Sequence, residues 1–396
     1  MARAELSVEA HPERKEIARY LLSRGWEQLE ELGDAAPPVR DLGVGTRAGP
    51  AFAFPQGLAP VPKPISPAPD PSRSLPRADV VVITWTVDEL AALAKVMTPG
   101  VTPTRWHRYS RGFKANYADR IRPGAPAALA KRLGSYMPVT VGPTKVLCMK
   151  SELHLNQDGV KTAEGKATLP VKDFFKQIIA ETRAKLVLTI GTSGSVFDAF
   201  ELGDTVVTRA AKFRLQMEFR NESFNGKTYT SDWQIPTKHF PTALTLMKSI
   251  EPDLAEPPFA PPTKRFPFKR KPIVAPTNTP DIKLEQAGKD MPEFHPILTT
   301  DYFEYGTSAN RLDKEGAAVE MGDAALGLAC SEIPDPPNWA VVRNMSDPVI
   351  NGDLPAKEFR LNEQTTWAVG YYTAYGKFTS TCGALATWGL IAGVTD

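Results

Sequence analysis

The sequence predicts an α/β protein, and three observations carry that expectation. Short runs rich in β-branched residues alternate with segments whose apolar residues recur at helical spacing. The alternation is sustained from about residue 78 to the C-terminus, with glycine, aspartate and proline marking the turns between elements. A chain of 396 residues is also long enough for one large α/β domain with additions, or for two domains of ordinary size.

Taken in order, "PERKEIARYLLSRGWEQLEEL" at 12–32 places Ile17, Leu21, Leu22, Trp26 and Leu29 near one helical face, which predicts an amphipathic helix. From Pro37 to Pro76 there are eleven prolines, so this stretch should run extended over a surface or act as a stiff linker. Residues 1–77 therefore read as an N-terminal helix and a proline-rich arm. "ADVVVITWTVDELAALAKVM" at 78 reads as a strand to about Thr84, a short turn, and a helix carrying Leu90, Leu93 and Val96. "TKVLCMKSEL" at 144 is a further strand, "VKDFFKQIIAETRA" at 171 a helix, and "KLVLTIGTSGSV" at 185 a buried strand entering a glycine-containing loop. "LGDTVVTRAAKFRLQMEF" adds strands after a Gly-Asp turn. Residues 221–292 break the rhythm with many prolines and the basic run "TKRFPFKRKP", and read as an insertion. "HPILTTDYFEYGTS" at 295 resumes a strand, followed by a helix around 318–330, a strand at 339–345 and a final helix from about Thr365 to Ala392. One domain over 78–396, interrupted by that insertion, accounts for the pattern.

Composition excludes little and names no partner. The formal charge is +2 and hydrophobic residues make up 42%, so neither a nucleic acid nor a membrane surface is demanded. Cys148, Cys330 and Cys382 lie far apart in apolar segments without metal-ligand spacing, as expected of reduced core cysteines in a cytoplasmic protein. Arg3, Glu5, Glu9 and Glu13 precede any apolar stretch, so no secretory signal is expected. No metal or cofactor is called for.

Several short motifs admit two readings. In "NWAVVRNMSDPVIN" at 338–351 an apolar run ends in Ser346 and Asp347; Asp347-Pro348 is either a simple strand terminus and turn or a carboxylate presented to a cleft. "GTSGS" at 191 is a tight turn or a ligand cradle. "DEL" at 88 suits the first turn of a helix, where carboxylates meet the positive end of the dipole. "AAVEMGDAA" at 317 would put Glu320 and Asp323 on one helix face. His154 follows a strand, and "RWHRYSRGFK" at 105–114 is a solvated basic loop or a phosphate contact.

In chain order, "VVVITWTVDEL", "LVLTIGTSGSVFDAFELGDTVV", "ILTTDYFEYGTS", "AAVEMGDAALGLAC" and "WAVVRNMSDPV" give the sequence a resemblance to the nucleoside phosphorylase and nucleosidase superfamily. It is most similar to the methylthioadenosine/S-adenosylhomocysteine nucleosidase branch. The resemblance implies a three-layer fold with a central mixed, partly barrel-like β-sheet flanked by helices, and homo-oligomeric assembly. It implies Asp347 as the acid that protonates the departing purine, oriented by Ser346, and Glu89 as the carboxylate that activates water. Thr192, Ser193 and Gly194 would line the ribose and water side, Phe303 would stack on the base with the backbone at Glu304 bonding its edge, and Met321 would pack under the ribose.

One position departs from the pattern. The family reads Glu-Met-Glu, its second glutamate holding the ribose hydroxyls, whereas this chain reads Glu320-Met321-Gly322-Asp323. Glu320 or Asp323 must take over, or the sugar is held differently, or the site is a binding site without turnover. Phosphorylases place arginines around the first loop and before the glycine loop, because phosphate needs charge-assisted donors. "TWTVDE" and "LVLTI" contain none, which favours a purine nucleoside or nucleotide hydrolase over a phosphate-dependent phosphorylase.

Overall fold

β-Branched residues on both phases of Val80–Ile83 can form a strand only where both faces are covered, and in the computed structural model all four side chains are inaccessible. The structure describes residues 52–155, 168–250, 279–284, 295–353 and 363–395. The helix expected over 12–32, the first part of the proline-rich arm and the basic run at 263–271 lie outside the described residues.

In chain order the elements are β1 (Pro60–Pro62), β2 (Val80–Thr84), α1 (Val87–Met97), β3 (His107–Tyr109), α2 (Pro126–Ala130), β4 (Gly134–Val141), β5 (Thr144–Ser151) and α3 (Pro170–Thr182). There follow β6 (Leu186–Ser195), β7 (Thr205–Thr208), β8 (Ala210–Phe213), β9 (Thr228–Thr230), α4 (Phe240–Lys248), β10 (Ile282–Leu284) and β11 (Ile297–Thr299). The chain ends with β12 (Ala318–Glu320), α5 (Asp323–Ser331), β13 (Asn338–Asp347) and α6 (Glu363–Thr395).

The described strands form one mixed sheet. Its centre is parallel: β5 pairs with β2, β2 with β6, and β6 with β13. Antiparallel β4 extends one flank, and β13 pairs antiparallel with β7 on the other. β6 belongs to two runs of the sheet, because its last residues, Gly194 and Ser195, also pair antiparallel with β12. β11, β8 and β9 continue from there.

Alternation along the central strands divides the core into two halves, one on each face of the sheet. Val80, Val82, Leu188 and Val342 pack with Leu90 and Leu93 of α1, Phe240 of α4 and Trp388 of α6. Val81, Ile83, Val187 and Val341 pack with Phe174 and Ile178 of α3 and with the alanines of α5. The result is three layers, as expected for an α/β protein whose strands are apolar on both faces.

One expectation is corrected, and one strand is added. Residues 318–330 are not one helix: Ala318–Glu320 is a strand between β11 and the end of β6, and the helix begins only at Asp323. Three residues, Ala318, Val319 and Glu320, before a Met-Gly pair are too few to show helical periodicity, and pairing with two strands decides their conformation. β4 also has no counterpart in the sequence reading, since Pro138 demotes a strand interior; here Pro138 faces Leu147 of β5, and its carbonyl accepts from Lys63 N.

At the C-terminal end of β5 three charges are buried together. Glu152 accepts hydrogen bonds from Arg132 Nε at 2.8 Å and from Lys150 Nζ at 2.7 Å, and the Glu152 and Lys150 side chains are fully inaccessible. Burial alone would raise the Glu152 pKa, but the two cations hold it below its ordinary value. Removing that negative charge leaves two buried cations facing each other. Glu152→Gln is therefore expected to cost about 3–5 kcal/mol, read as a lower urea midpoint with an unchanged slope.

Candidate active site

Four parallel strands end on the same side of the sheet, and open α/β sheets place their clefts there. The turn leaving β2 is held by a capping box: Thr86 Oγ1 accepts from Glu89 N at 3.3 Å, and Glu89 Oε2 accepts from Thr86 N at 2.9 Å. The same oxygen accepts from Thr84 Oγ1 at 2.9 Å and Trp85 N at 3.1 Å. Its second oxygen, Oε1, reaches across to β6 and accepts from Thr192 N at 2.8 Å and Thr192 Oγ1 at 2.9 Å. Burial by itself would raise the pKa of Glu89. The Arg343 charge and the Thr86 and Thr192 hydrogen bonds outweigh burial, so the pKa lies below its ordinary value and the group is ionised at neutral pH.

That reach explains a glycine. A Cβ on Gly191 would lie 2.6 Å from Glu89 Oε1 and 2.5 Å from Arg343 Nη1, so any side chain there would expel the carboxylate or the guanidinium. Three residues further along β6, a Cβ on Gly194 would lie 2.9 Å from Asp347 Oδ2. The two glycines of "GTSGS" thus give two carboxylates access to one strand end, roughly 10 Å apart along an extended chain.

Asp347 is aimed by an irregularity in β13. The β6 register runs Met345 to Ser193 and then Asp347 to Gly194, so Ser346 is an extra residue in the ladder. Such a bulge re-aims the side chain that follows it. The Ser346 hydroxyl lies 2.9 Å from Asp347 Oδ1 and 3.2 Å from the Ser193 carbonyl, which ties the bulge to both strands.

Arg343 of β13 is buried behind these groups. Its Nε and Nη2 donate to the two Asp323 oxygens at 2.7 and 2.6 Å, Nη1 donates to the Thr192 carbonyl at 3.1 Å, and Nη2 lies 3.1 Å from Glu320 Oε2. Burial would lower its pKa, but the Asp323 and Glu320 charges raise it instead. The guanidinium also sits 4.9 Å from the centre of the Trp85 ring. Glu320 Oε1 accepts from Thr299 Oγ1 and from Asp323 N. Burial, and next the Asp323 charge, push the Glu320 pKa up to about 7.

These groups line one cavity. Its wall includes Glu89, Thr192, Ser193, Gly194, Phe303, Glu304, Glu320, Met321, Ser346 and Asp347, all of them expected from the sequence. Asp323 is not on the wall: it is wholly inaccessible and both its oxygens are engaged by Arg343. The Glu304 side chain is gripped by Arg214 at one edge of the cavity. His154 also reaches the wall, its ring 6.4 Å from that of Trp85. The stretch 105–114 does not reach the cavity; Arg111 pairs with Glu181 of α3 at 3.6 Å, and Tyr109 OH donates to the same carboxylate at 2.7 Å.

Sequence reasoning did not assign Trp85, Thr86, Arg343 or Tyr372, all of which line the cavity. Arg343 carried a signal, because an arginine inside an apolar strand must be buried with partners. Tyr372 carried none; α6 brings it from the C-terminal end of the chain, with its hydroxyl 3.5 Å from Thr86 Oγ1. Among the described residues no group of acidic, histidine or cysteine side chains could hold a metal ion, and no helix is long and apolar enough to cross a membrane.

No protein-family model and no curated protein matches the sequence. Solved structures similar to this chain include a 5′-methylthioadenosine/S-adenosylhomocysteine nucleosidase from Neisseria meningitidis, at 14% identity and a TM-score of 0.43 over 79% of this chain and 98% of the other. Another is the futalosine hydrolase of Helicobacter pylori, at 11% identity and a TM-score of 0.41 over 78% and 96%. A third, described as a nucleosidase of the first kind from Borrelia burgdorferi and bound to adenine, shows 12% identity and a TM-score of 0.41 over 79% and 98%.

The Glu320 pKa makes stability depend on pH with a defined sign. A carboxyl whose pKa is raised in the folded state stabilises that state below its unfolded value, and the stability is lost as pH rises through the folded value. Ionising Glu320, whose pKa is carried from its ordinary 4.5 up to about 7, therefore costs up to about 3 kcal/mol. Glu320→Gln cannot ionise, so it should gain stability relative to the parent protein as pH rises from 4.5 to 8. Paired thermal melts across that range test this, and a constant difference would refute it.

Proposed function

We propose that the chain is a purine nucleoside or nucleotide N-ribosyl hydrolase that releases free base. The observation that supports this most is the placing of Glu89 and Asp347, from opposite ends of the domain, on one cavity wall beside Gly191 and Gly194. Cleaving an N-glycosidic bond needs an acid for the leaving base and a nucleophile for a ribosyl centre that becomes oxocarbenium-like. Asp347, oriented by the Ser346 hydroxyl, is the acid in this reading. Glu89 positions and activates a water, which takes the place of the Thr192 hydroxyl on Oε1. Phe303 provides an aromatic face for the base.

Charge supports water over phosphate as the nucleophile. With Asp347 serving as the acid, Glu89, Glu304 and Glu320 are the other carboxyl groups on the wall, and the one arginine there, Arg343, already serves Asp323 and Glu320. Such a lining attracts a developing carbocation and repels an anion. A cytoplasmic homo-oligomer belongs to the same reading, by the sequence resemblance alone.

Chromatography of adenosine-type nucleosides and nucleotides should show free base released without added phosphate. Asp347→Asn and Glu89→Gln should each lower kcat by about 10²–10⁴, the range for loss of a positioned acid or base, with unchanged circular dichroism. Base released only when phosphate is present would establish a phosphorylase instead. Saturable binding without any base release would make the protein a nucleoside-binding protein.

A further inference from the structure

Glu89 spends its two oxygens on two different neighbourhoods. Oε1 accepts from the backbone and hydroxyl of Thr192, a residue of the cavity wall. Oε2 accepts from Trp85 N at 3.1 Å, Thr86 N at 2.9 Å and Thr84 Oγ1 at 2.9 Å. The first two of these donors are backbone groups, which the turn into α1 offers whatever side chains it carries. The third is a hydroxyl from a residue that does not line the cavity.

The position of that hydroxyl follows from β2. Side chains alternate along a strand, and Val80 and Val82 pack with Leu90 and Leu93 of α1, so Thr84 ends the same row facing α1. Valine would continue the row with the same shape. Thr84 is instead a wholly inaccessible hydroxyl in an apolar row, and such a group needs a buried partner. Its partner is the Glu89 carboxylate. The last torsion of a glutamate is broad and roughly two-fold, so a carboxylate held through one oxygen alone can turn. Three donors converging on Oε2 fix that torsion and leave Oε1 as the oxygen toward Gly191 and Thr192.

We propose that Thr84 is a positioning residue for the hydrolysis, its hydroxyl fixing Oε2 of Glu89 so that Oε1 alone is presented to the attacking water. The proposal rests on the nucleosidase reading. The same hydrogen bond favours the charged form of the carboxyl. The charges around Glu89 are Arg343 of β13, with Glu320 and Asp323 bound to it, and Asp88 on α1, which itself faces Lys377 of α6. Lys150, beside Thr84 in the β2–β5 ladder, donates to Glu152, and Asp347 shares the cavity wall. Among these, Thr84 is a neutral donor, so its removal alters the proton affinity of Glu89 without adding or deleting a charge.

Thr84→Val keeps the shape and removes the donor, and Thr84→Ser keeps the donor. Thr84→Ala removes the donor with less bulk and replaces the valine variant if that protein does not fold. In protein labelled with carboxyl-13C glutamate, the Glu89 resonance is identified by its loss in Glu89→Gln. It should titrate about one pH unit higher in Thr84→Val than in the parent and return to the parent midpoint in Thr84→Ser. Base release from adenosine should fall about tenfold in kcat in Thr84→Val, with KM within about twofold, and recover in Thr84→Ser. Added to Glu89→Gln, the valine substitution should cost little more, whereas a packing defect would cost the same in both backgrounds. An unmoved Glu89 midpoint, or an equal loss in the Glu89→Gln background, would overturn the positioning role and leave the hydrolase standing. A parent protein that releases no base from adenosine, inosine, guanosine or their 5′-monophosphates would overturn the hydrolase and the positioning role with it.

Discussion

Arg343 is the constraint on which the site depends. A guanidinium cannot be left in a protein interior without acceptors for its donors, because the cost of stripping its water is several kcal/mol. Here the acceptors come from three places: the Asp323 carboxylate at the start of α5, Glu320 at the end of β12 and the Thr192 carbonyl on β6. Each of those elements must meet β13 at that point for the charge to be tolerated. The same guanidinium lowers the Glu89 pKa and lies over the Trp85 ring. One buried cation therefore fixes the ends of β2, β6, β12 and β13 relative to one another.

With that anchor in place, the backbone decides where the two outer carboxylates go. Glu89 is the third residue of α1, and its side chain closes the capping box while also reaching Thr192. The structural reading of "DEL" and the chemical one are thus both satisfied by a single carboxylate. Asp347 reaches the same cavity from β13, which carries an extra residue at Ser346. Without the bulge the strand's period of two would turn its terminal side chain to the other face. The glycines at 191 and 194 are the counterpart on β6 of these two arrivals.

The distribution of charge then narrows the chemistry. Carboxylates outnumber cations on the wall, and the one cation there, Arg343, is shared between Glu320 and the Asp323 carboxylate behind it. A cavity of this sign in a low-dielectric surround favours a transition state that gains positive charge. The raised Glu320 pKa is the same crowding of negative charge expressed as proton affinity, since Asp323 and burial act together on it. Trp85 adds an aromatic ring to this acidic lining, and Gly322 leaves room for it.

By itself the sequence determined the α/β class and the central strands and helices, and its resemblance pointed to ten of the sixteen residues on the cavity wall. β-Branched runs such as Val80–Ile83 bury on both faces whatever surrounds them, and short motifs such as "NMSDP" carry their local geometry with them. Tertiary structure alone decided that Ala318–Glu320 is a strand, because only pairing with β11 and β6 outweighs so short a stretch's own preference. It also decided that Asp323 serves Arg343 rather than the cavity, and that Trp85 and Tyr372 complete the wall. Those outcomes depend on distances between residues far apart in the chain, and a local pattern holds no information about such distances.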